Sequence, residues 1–327
     1  MSQQPLIEVQ HLKKHFELRG SLGKKKLIRA VDDVSLDIYA GETLGLIGES
    51  GSGKSTLGRC ITRLYEPTGG RILFKGQDTA QLNGQALSSY KRSMQIVFQD
   101  PSSSLNPSMN VLQLVAEPLD LENKLPKEER VQRVTAMLQQ VGLDADALEK
   151  YPHEFSGGQL QRIGIARALI VRPEFVLLDE PISALDVSVG AQVINLLQDL
   201  QASLGLTMLF VAHDLSMVRH VSHRIGVLYA GRLAELGPAA ALYDNPLHPY
   251  TQALLKAIPI ADPNRARAQQ QEHLGGDSPS LSQEVQGCAF APRCPVAMPE
   301  CHTIRPEPLP VDDGRVVACF KVTGLPE

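Results

Sequence analysis

The sequence predicts an α/β fold: a largely parallel sheet with flanking helices, an inserted helical subdomain, and a small cysteine-rich C-terminal extension. Three observations predict it. A glycine-rich turn, Gly48-Glu-Ser-Gly-Ser-Gly-Lys-Ser55, separates an apolar strand pattern from a helical one, which is how a βαβ unit opens. Short apolar runs at 94–98, 175–178, 207–211 and 224–229 alternate with helical patterns, as strands buried on both faces of a parallel sheet do. Between 111 and 150, apolar and charged residues recur at helical spacing without a strand pattern, so helices are inserted there.

In chain order, residues 6–12 and the alternating 31–38 read as strands. A basic, glycine-containing loop over 19–26 joins them, with Lys24, Lys25 and Lys26 as a solvated run. Residues 42–47 form the strand before the glycine-rich turn, and a helix follows from about Lys54 to Leu64. The spacing predicts helices over 111–121, 127–141 and 160–170. After Pro259 the chain turns polar and poor in large apolar residues, which marks a linker. No internal repeat explains the division into parts.

Composition narrows the function classes. The chain has 327 residues, 43% hydrophobic and 21% charged, and a net charge of -4, long enough to bury a full core in one large domain with an appendage or in two domains of similar size. A near-neutral chain has no global attraction for nucleic acid, so none is expected as a partner. No apolar run approaches the roughly 18 residues that span a bilayer, and the first residues lack a secretory pattern; a cytoplasmic location is expected. Five cysteines, one of them isolated at Cys60, do not make a secreted disulfide framework.

Gly48 to Ser55 fits GxxxxGK[ST] between strand and helix, the phosphate-binding loop in its required context. Gly48, Ser50, Gly51 and Gly53 let backbone N–H groups turn toward a phosphate at a helix N-terminus, where Thr56 also lies. Lys54 is then placed for the β and γ phosphates of ATP, and the Ser55 hydroxyl for Mg²⁺. The run 175–178 ends in Asp179 and Glu180. The first carboxylate suits a Mg²⁺ hydration shell, and the second suits orienting or deprotonating water. Ser156-Gly157-Gly158-Gln159 opens a further helical pattern, with Ser156 as N-cap and two glycines that admit a ligand near the backbone. One ATP does not need two cradles, so this one is expected to complete a site on another subunit.

These motifs, in this order, resemble the ATP-binding subunits of ABC transporters over about Leu6 to Pro259. Ser156 to Gln159 resembles the signature motif. The resemblance implies that Gln99 is the Q-loop glutamine touching Mg²⁺ or water, and that Asp186 belongs to the loop crossing the dimer interface. It further implies that His213 contacts the γ-phosphate and that Phe16 stacks on adenine, although a core-facing Phe16 reads equally well from the residues. Glu180, His213 and Gln99 are the implied catalytic set. Residues 1–259 become the ABC nucleotide-binding domain, with a helical subdomain at about 108–172; 260–287 becomes the linker and 288–327 the extension.

Two segments point to the oligopeptide, dipeptide and nickel importer branch: 97–107, and Asn245-Pro-Leu-His-Pro-Tyr250 with the helix after it. The resemblance implies a second homologous ATPase subunit as a heterodimer partner, two transmembrane permease subunits and an extracytoplasmic peptide-binding protein. The implied place is the cytoplasmic face of the bacterial inner membrane, held through the permeases. Import of nickel or another solute is the alternative, with a soluble ABC ATPase behind it. Cys288, Cys294, Cys301 and Cys319 suit tetrahedral zinc or an iron–sulfur cluster. Their spacing matches neither standard pattern, and unliganded thiols remain open. The branch resemblance implies a [4Fe-4S] cluster ahead of Zn²⁺. Cys60 reads as a small buried apolar residue.

Overall fold

In a computed structural model, residues 4–19, 25–121, 125–213, 215–257, 281–282, 285–311 and 313–325 are described. The predicted linker lies outside the described residues at 260–280 and 283–284, as does the middle of the basic loop at 20–24. The chain divides into two compact units.

The first unit holds Ile38–Thr43 and Gln81–Ala212. Its sheet contains β6 (Met94–Val97), β7 (Phe175–Asp179) and β8 (Thr207–Val211). The strands are parallel, with Met94 opposite Phe175 and Phe175 opposite Thr207. Every residue of β7 and β8 is buried, the continuous apolar pattern that a sheet covered on both faces requires. Helix α2 (Gly84–Ser93) precedes β6, and the short α3 (Pro101–Ser104) follows it.

The helical insertion is built from α4 (Val111–Asp120), α5 (Lys127–Gln140) and α6 (Gly157–Leu169). Asn110 starts α4 through a reciprocal capping box with Gln113, satisfying two backbone donors that the first turn leaves open. Val111, Leu114, Val115 and Leu119 are buried on one side of α4, the i, i+3, i+4 stripe of an amphipathic helix. Arg167 of α6 ties the bundle together, donating to the Ser104 carbonyl at 3.0 Å and to Glu117 at 2.6 Å. The stretch up to Lys150, which has helical spacing, holds only a 3₁₀ turn at Ala145–Glu149, because Gly142 takes a left-handed φ of 72° that ends α5. The long α7 (Val187–Leu204) closes on Gly205 in the same conformation.

The second unit holds Pro5–Asp37, Leu44–Ala80 and the chain from His213 onward. One sheet has the order β2-β1-β4-β5, from β1 (Ile7–Arg19), β2 (Lys25–Ile38), β4 (Gly69–Phe74) and β5 (Gln77–Asp78), with β4 antiparallel to both β1 and β5. The first two strands run further than their alternation suggested, β1 to Arg19 and β2 from Lys25. The buried strand β3 (Thr43–Ile47) pairs in parallel with β9 (Arg224–Tyr229), Leu44 facing Arg224. Strand β10 (Arg232–Pro238) returns antiparallel to β9. The short β11 (Leu309–Pro310) and β12 (Val316–Val317) add to that edge through β10. Helices α1 (Lys54–Ile61), α8 (Leu215–Val221), α9 (Ala239–Asp244) and α10 (Pro249–Lys256) belong to the unit, as does a single turn of helix at Phe320–Thr323. Among the described residues, no helix is long and apolar enough to cross a membrane.

Candidate functional site: a phosphate loop, a strand-end carboxylate pair and a second helix N-terminus

In the second unit, β3 ends at Ile47 and α1 begins at Lys54, so the intervening loop is held at both ends. Gly53 has φ 102° and a Cβ there would collide with the Ala30 carbonyl oxygen; no other residue fits this turn into the helix. Lys54 is buried, 4% exposed. Its ammonium curls back over the loop and donates to the Gly48 carbonyl at 2.8 Å and the Glu49 carbonyl at 3.0 Å. Ser52 Oγ is buried with no hydrogen-bond partner among the described residues. A loop that closes its own lysine onto backbone carbonyls and keeps a hydroxyl unsatisfied is prepared for an oxygen-rich ligand. Ser55 and Thr56 are half-buried at the start of α1, and Ser50 and Gly51 are exposed at the loop tip.

Phe16 is half-buried on β1. Its ring meets Tyr65 edge-on at 5.6 Å, and Lys14 Nζ lies 5.0 Å from the ring centroid. His213 is exposed at the start of this unit's C-terminal part.

In the first unit, Asp179 is the last residue of β7 and is 2% exposed. Glu180 follows with φ 51°, a left-handed conformation that a non-glycine residue rarely adopts. Its N–H donates to the Val211 carbonyl at 2.9 Å, and its carbonyl accepts from Ser183 N–H at 3.2 Å and Ser183 Oγ at 3.0 Å. These bonds hold the strained residue in place. Asp186 is exposed and N-caps α7, accepting from Val189 N–H at 2.9 Å and Ser188 Oγ at 2.7 Å. The Val189 N–H, with Ser188 Oγ next, keeps its carboxyl below the usual range.

Ser156 caps α6 through a reciprocal box with Gln159: Ser156 N–H donates to Gln159 Oε1 at 3.0 Å, and Gln159 N–H to Ser156 Oγ at 3.4 Å. Ser156, Gly157 and Gln159 are exposed, whereas Gly158 is buried. A Cβ on Gly158 would collide with Val189 Cγ1, so the glycine lets α6 approach α7. Gln99 is exposed just after β6. Beside it a groove is lined by Val97, Phe98, Pro118, Leu121, Gln161 and Arg167, with Leu121 83% exposed.

Cys288, Cys294, Cys301 and Cys319 all line one small pocket with Phe290, Met298 and Phe320, and none forms a disulfide. Burial pushes the Cys288 thiol up to about 11, with the neighbouring Cys301 and Cys319 adding to the rise. Burial also raises Cys294 and Cys319. Among the described residues, no three His, Cys, Asp or Glu side chains are spaced to hold a metal ion. The donor set has cluster chemistry, yet the sulfurs are not drawn to one ion-sized point. Cys60 is 0% exposed and burial pushes its thiol to about 12, as its reading as an apolar residue requires.

Sequence reasoning missed the surroundings of Glu49. Its N–H donates to Tyr250 Oη at 2.9 Å, and its carboxylate takes two hydrogen bonds from Arg293, at 3.0 and 3.1 Å. The three residues are far apart in sequence, and nothing in local spacing signals the contact.

Residues 31–183 match the ABC transporter family, and residues 234–301 match the C-terminal region of oligopeptide/dipeptide transporters. The chain is 51% identical to YkfD of Bacillus subtilis, provisionally named an oligopeptide transport ATP-binding protein, over 98% of this chain and 96% of that one. It is 48% identical to the oligopeptide transport ATP-binding protein AppF of Bacillus subtilis, over 97% of this chain and 98% of that one. A solved dimeric ATP-binding cassette in a post-hydrolysis state, bound to ADP and Pi, is similar at TM-score 0.64 and 31% identity, covering 71% of this chain and 98% of that one. A phosphate loop, a strand-end carboxylate pair and a Ser-Gly-Gly-Gln helix start thus occur in a chain with near-full-length relatives of one kind. The chain belongs to the ATP-binding subunits of ABC transporters, in the branch that carries the oligopeptide/dipeptide transporter C-terminal region.

Proposed function

We propose that this chain hydrolyses ATP to drive peptide import through an ABC transporter. The observation that carries the reading is the combination, in one chain, of a complete phosphate loop with the His248-Pro249-Tyr250 segment folded against it. The peptide class follows from relatives of the oligopeptide transport type at 48–51% identity over nearly the whole chain.

In the proposed reaction Lys54 exchanges its carbonyl partners for the β and γ phosphates, and the loop N–H groups of Ser50, Gly51, Gly53, Ser55 and Thr56 cradle them. Ser55, Asp179 and Gln99 would hold Mg²⁺, which supplies charge neutralisation on the phosphates when bound. Glu180 orients a water in line with the γ-phosphorus and accepts its proton, His213 steadies the γ-phosphate, and ADP and inorganic phosphate leave. The buried Lys54 ammonium and the unsatisfied Ser52 Oγ of the loop fit such an anionic, metal-bearing ligand. Phe16 stacks on the adenine.

The exposed N-terminus of α6, with Ser156, Gly157, Gly158 and Gln159, completes the ATP site of a second homologous ATPase subunit, and Asp186 lies on the facing surface. We assign that subunit to a non-identical chain. The groove beside Gln99, with exposed Leu121 and Phe98, receives a segment of one of two membrane permeases, which keeps this chain on the cytoplasmic face of the bacterial inner membrane. An extracytoplasmic binding protein delivers the peptide. Residues 1–259 form the nucleotide-binding domain with its helical subdomain at about 108–172, and 260–287 the linker.

Residues 288–327 form a cysteine-rich extension whose Cys288, Cys294, Cys301 and Cys319 hold a [4Fe-4S] cluster. Four unpaired thiols on one pocket support it. A cluster spreads its thiolates more widely than a single Zn²⁺ ion, which suits sulfurs not gathered at one point. Anaerobic purification with iron, sulfide and zinc analysis tests this: about four irons per chain is expected, and stoichiometric zinc or no metal refutes it.

Transport is tested in proteoliposomes carrying the permeases, both ATPases and the binding protein. Labelled dipeptide or oligopeptide is expected to accumulate with ATP. Accumulation of nickel without peptide overturns the substrate class.

A further inference from the structure

The C-terminal extension reaches the phosphate loop directly. Arg293 is the residue before Cys294 and closes the 3₁₀ turn Ala291–Arg293. Its guanidinium is 8% exposed and grips Glu49, 28% exposed, through both carboxylate oxygens. The same guanidinium donates to Tyr229 Oη at 3.2 Å. Tyr250 accepts the Glu49 N–H, so side chain and backbone of one loop residue are held from two directions. Tyr250 is itself locked. It is 0% exposed, its ring lies 4.4 Å from Tyr229 and 5.4 Å from Phe290, and its N–H donates to His248 Nδ1 at 3.0 Å. Phe290 stands two residues from Cys288, inside the same packed cluster. Glu49 also contributes its carbonyl to Lys54, so the residue that Arg293 fixes is one that the loop lysine rests on.

We infer that Arg293 is a positioning residue for ATP binding: it presets the phosphate loop through Glu49, and makes the C-terminal extension a structural part of the nucleotide site. A guanidinium fork on a carboxylate is geometrically specific, because both oxygens must be met in one plane. Holding Glu49 this way removes loop conformations that ATP would otherwise have to select against. The inference rests on the assignment of the loop to ATP, and it names a residue outside the loop that sets its affinity.

The test uses the full-length chain in the assembled transporter, with ATP as the probe. Arg293→Ala is expected to raise the KM for ATP about tenfold with kcat at saturating ATP within about twofold, since ordering the loop is then left to the nucleotide. Arg293→Lys keeps the charge and loses the fork, and is expected to fall between the two. In a Glu49→Ala background, Arg293→Ala is expected to add nothing, because the partner is already gone. A lower kcat at unchanged KM, or a KM effect of equal size without Glu49, overturns the inference and marks Arg293 as merely structural. Variants that fail to fold are recognised by thermal melting, and the Lys variant then carries the test. Failure of the parent chain itself to bind ATP would instead refute the assignment of the loop.

Discussion

Replacing Glu180 by glycine and by alanine separates the backbone strain at this residue from its chemistry. Glu180 has φ 51°, a conformation that costs an L-residue about 1–2 kcal/mol relative to glycine. Glycine gives back about 0.5–1 kcal/mol through the greater freedom of its unfolded chain. The difference leaves Glu180→Gly about 0.5–1 kcal/mol more stable than Glu180→Ala, the reverse of what the same pair would do within a helix. Both variants lack the carboxylate, so whatever that group adds to stability is missing from each and cancels in the comparison. At a urea dependence of about 2 kcal/mol/M, the glycine midpoint should lie about 0.3–0.5 M higher. Urea titrations followed by circular dichroism read this, and ATP turnover should be lost in both variants. An alanine midpoint equal to or above that of glycine would show that the strand-end conformation is not strained.

Three further outcomes follow from the geometry. Lys54→Ala is expected to weaken ATP binding at least ~100-fold by equilibrium titration, since it removes the charged donor of the loop. Retention of parental affinity would place the phosphates elsewhere. Gly158→Ala forces α6 away from Val189 and should destabilise the first unit by about 1–3 kcal/mol; an unchanged denaturation midpoint contradicts that packing. His248 is buried and neutral, its pKa pushed down from 6.5 to about 4 by burial. The unfolded chain takes up this proton first as pH falls, so stability is intact above 6.5 and is lost on the way down to 4, by about 3 kcal/mol in all. His248→Asn should flatten the stability profile over that window, and an unchanged slope would show that His248 is not the group responsible.

Much of the local geometry was legible because it depends on neighbouring residues alone. The glycine and lysine spacing of 48–55 specifies a turn into a helix, and the apolar run of β7 that ends in Asp179, with Glu180 next, needs only neighbouring residues to be read. Strand lengths were less legible. Strand β1 extends through the polar Lys13, Lys14 and His15, where its place between β2 and β4, paired with β4 as far as Lys13, overrides the absence of an apolar pattern. Strand β4, with two glycines and an exposed face, carries no alternation at all. The left-handed Glu180 could not be anticipated, since nothing in its residue type favours that backbone. The grip on Glu49 by Arg293 and Tyr250 joins residues 244 and 201 positions away, and only the fold brings them together.

Hydrolysis of ATP by this chain drives peptide import. The most direct measurement is peptide accumulation and phosphate release in the same proteoliposomes, comparing the parent with Glu180→Gln. The parent is expected to do both, and the variant to retain bound ATP while releasing no phosphate and accumulating no peptide. Phosphate release and uptake at the parental rate in the variant would contradict it.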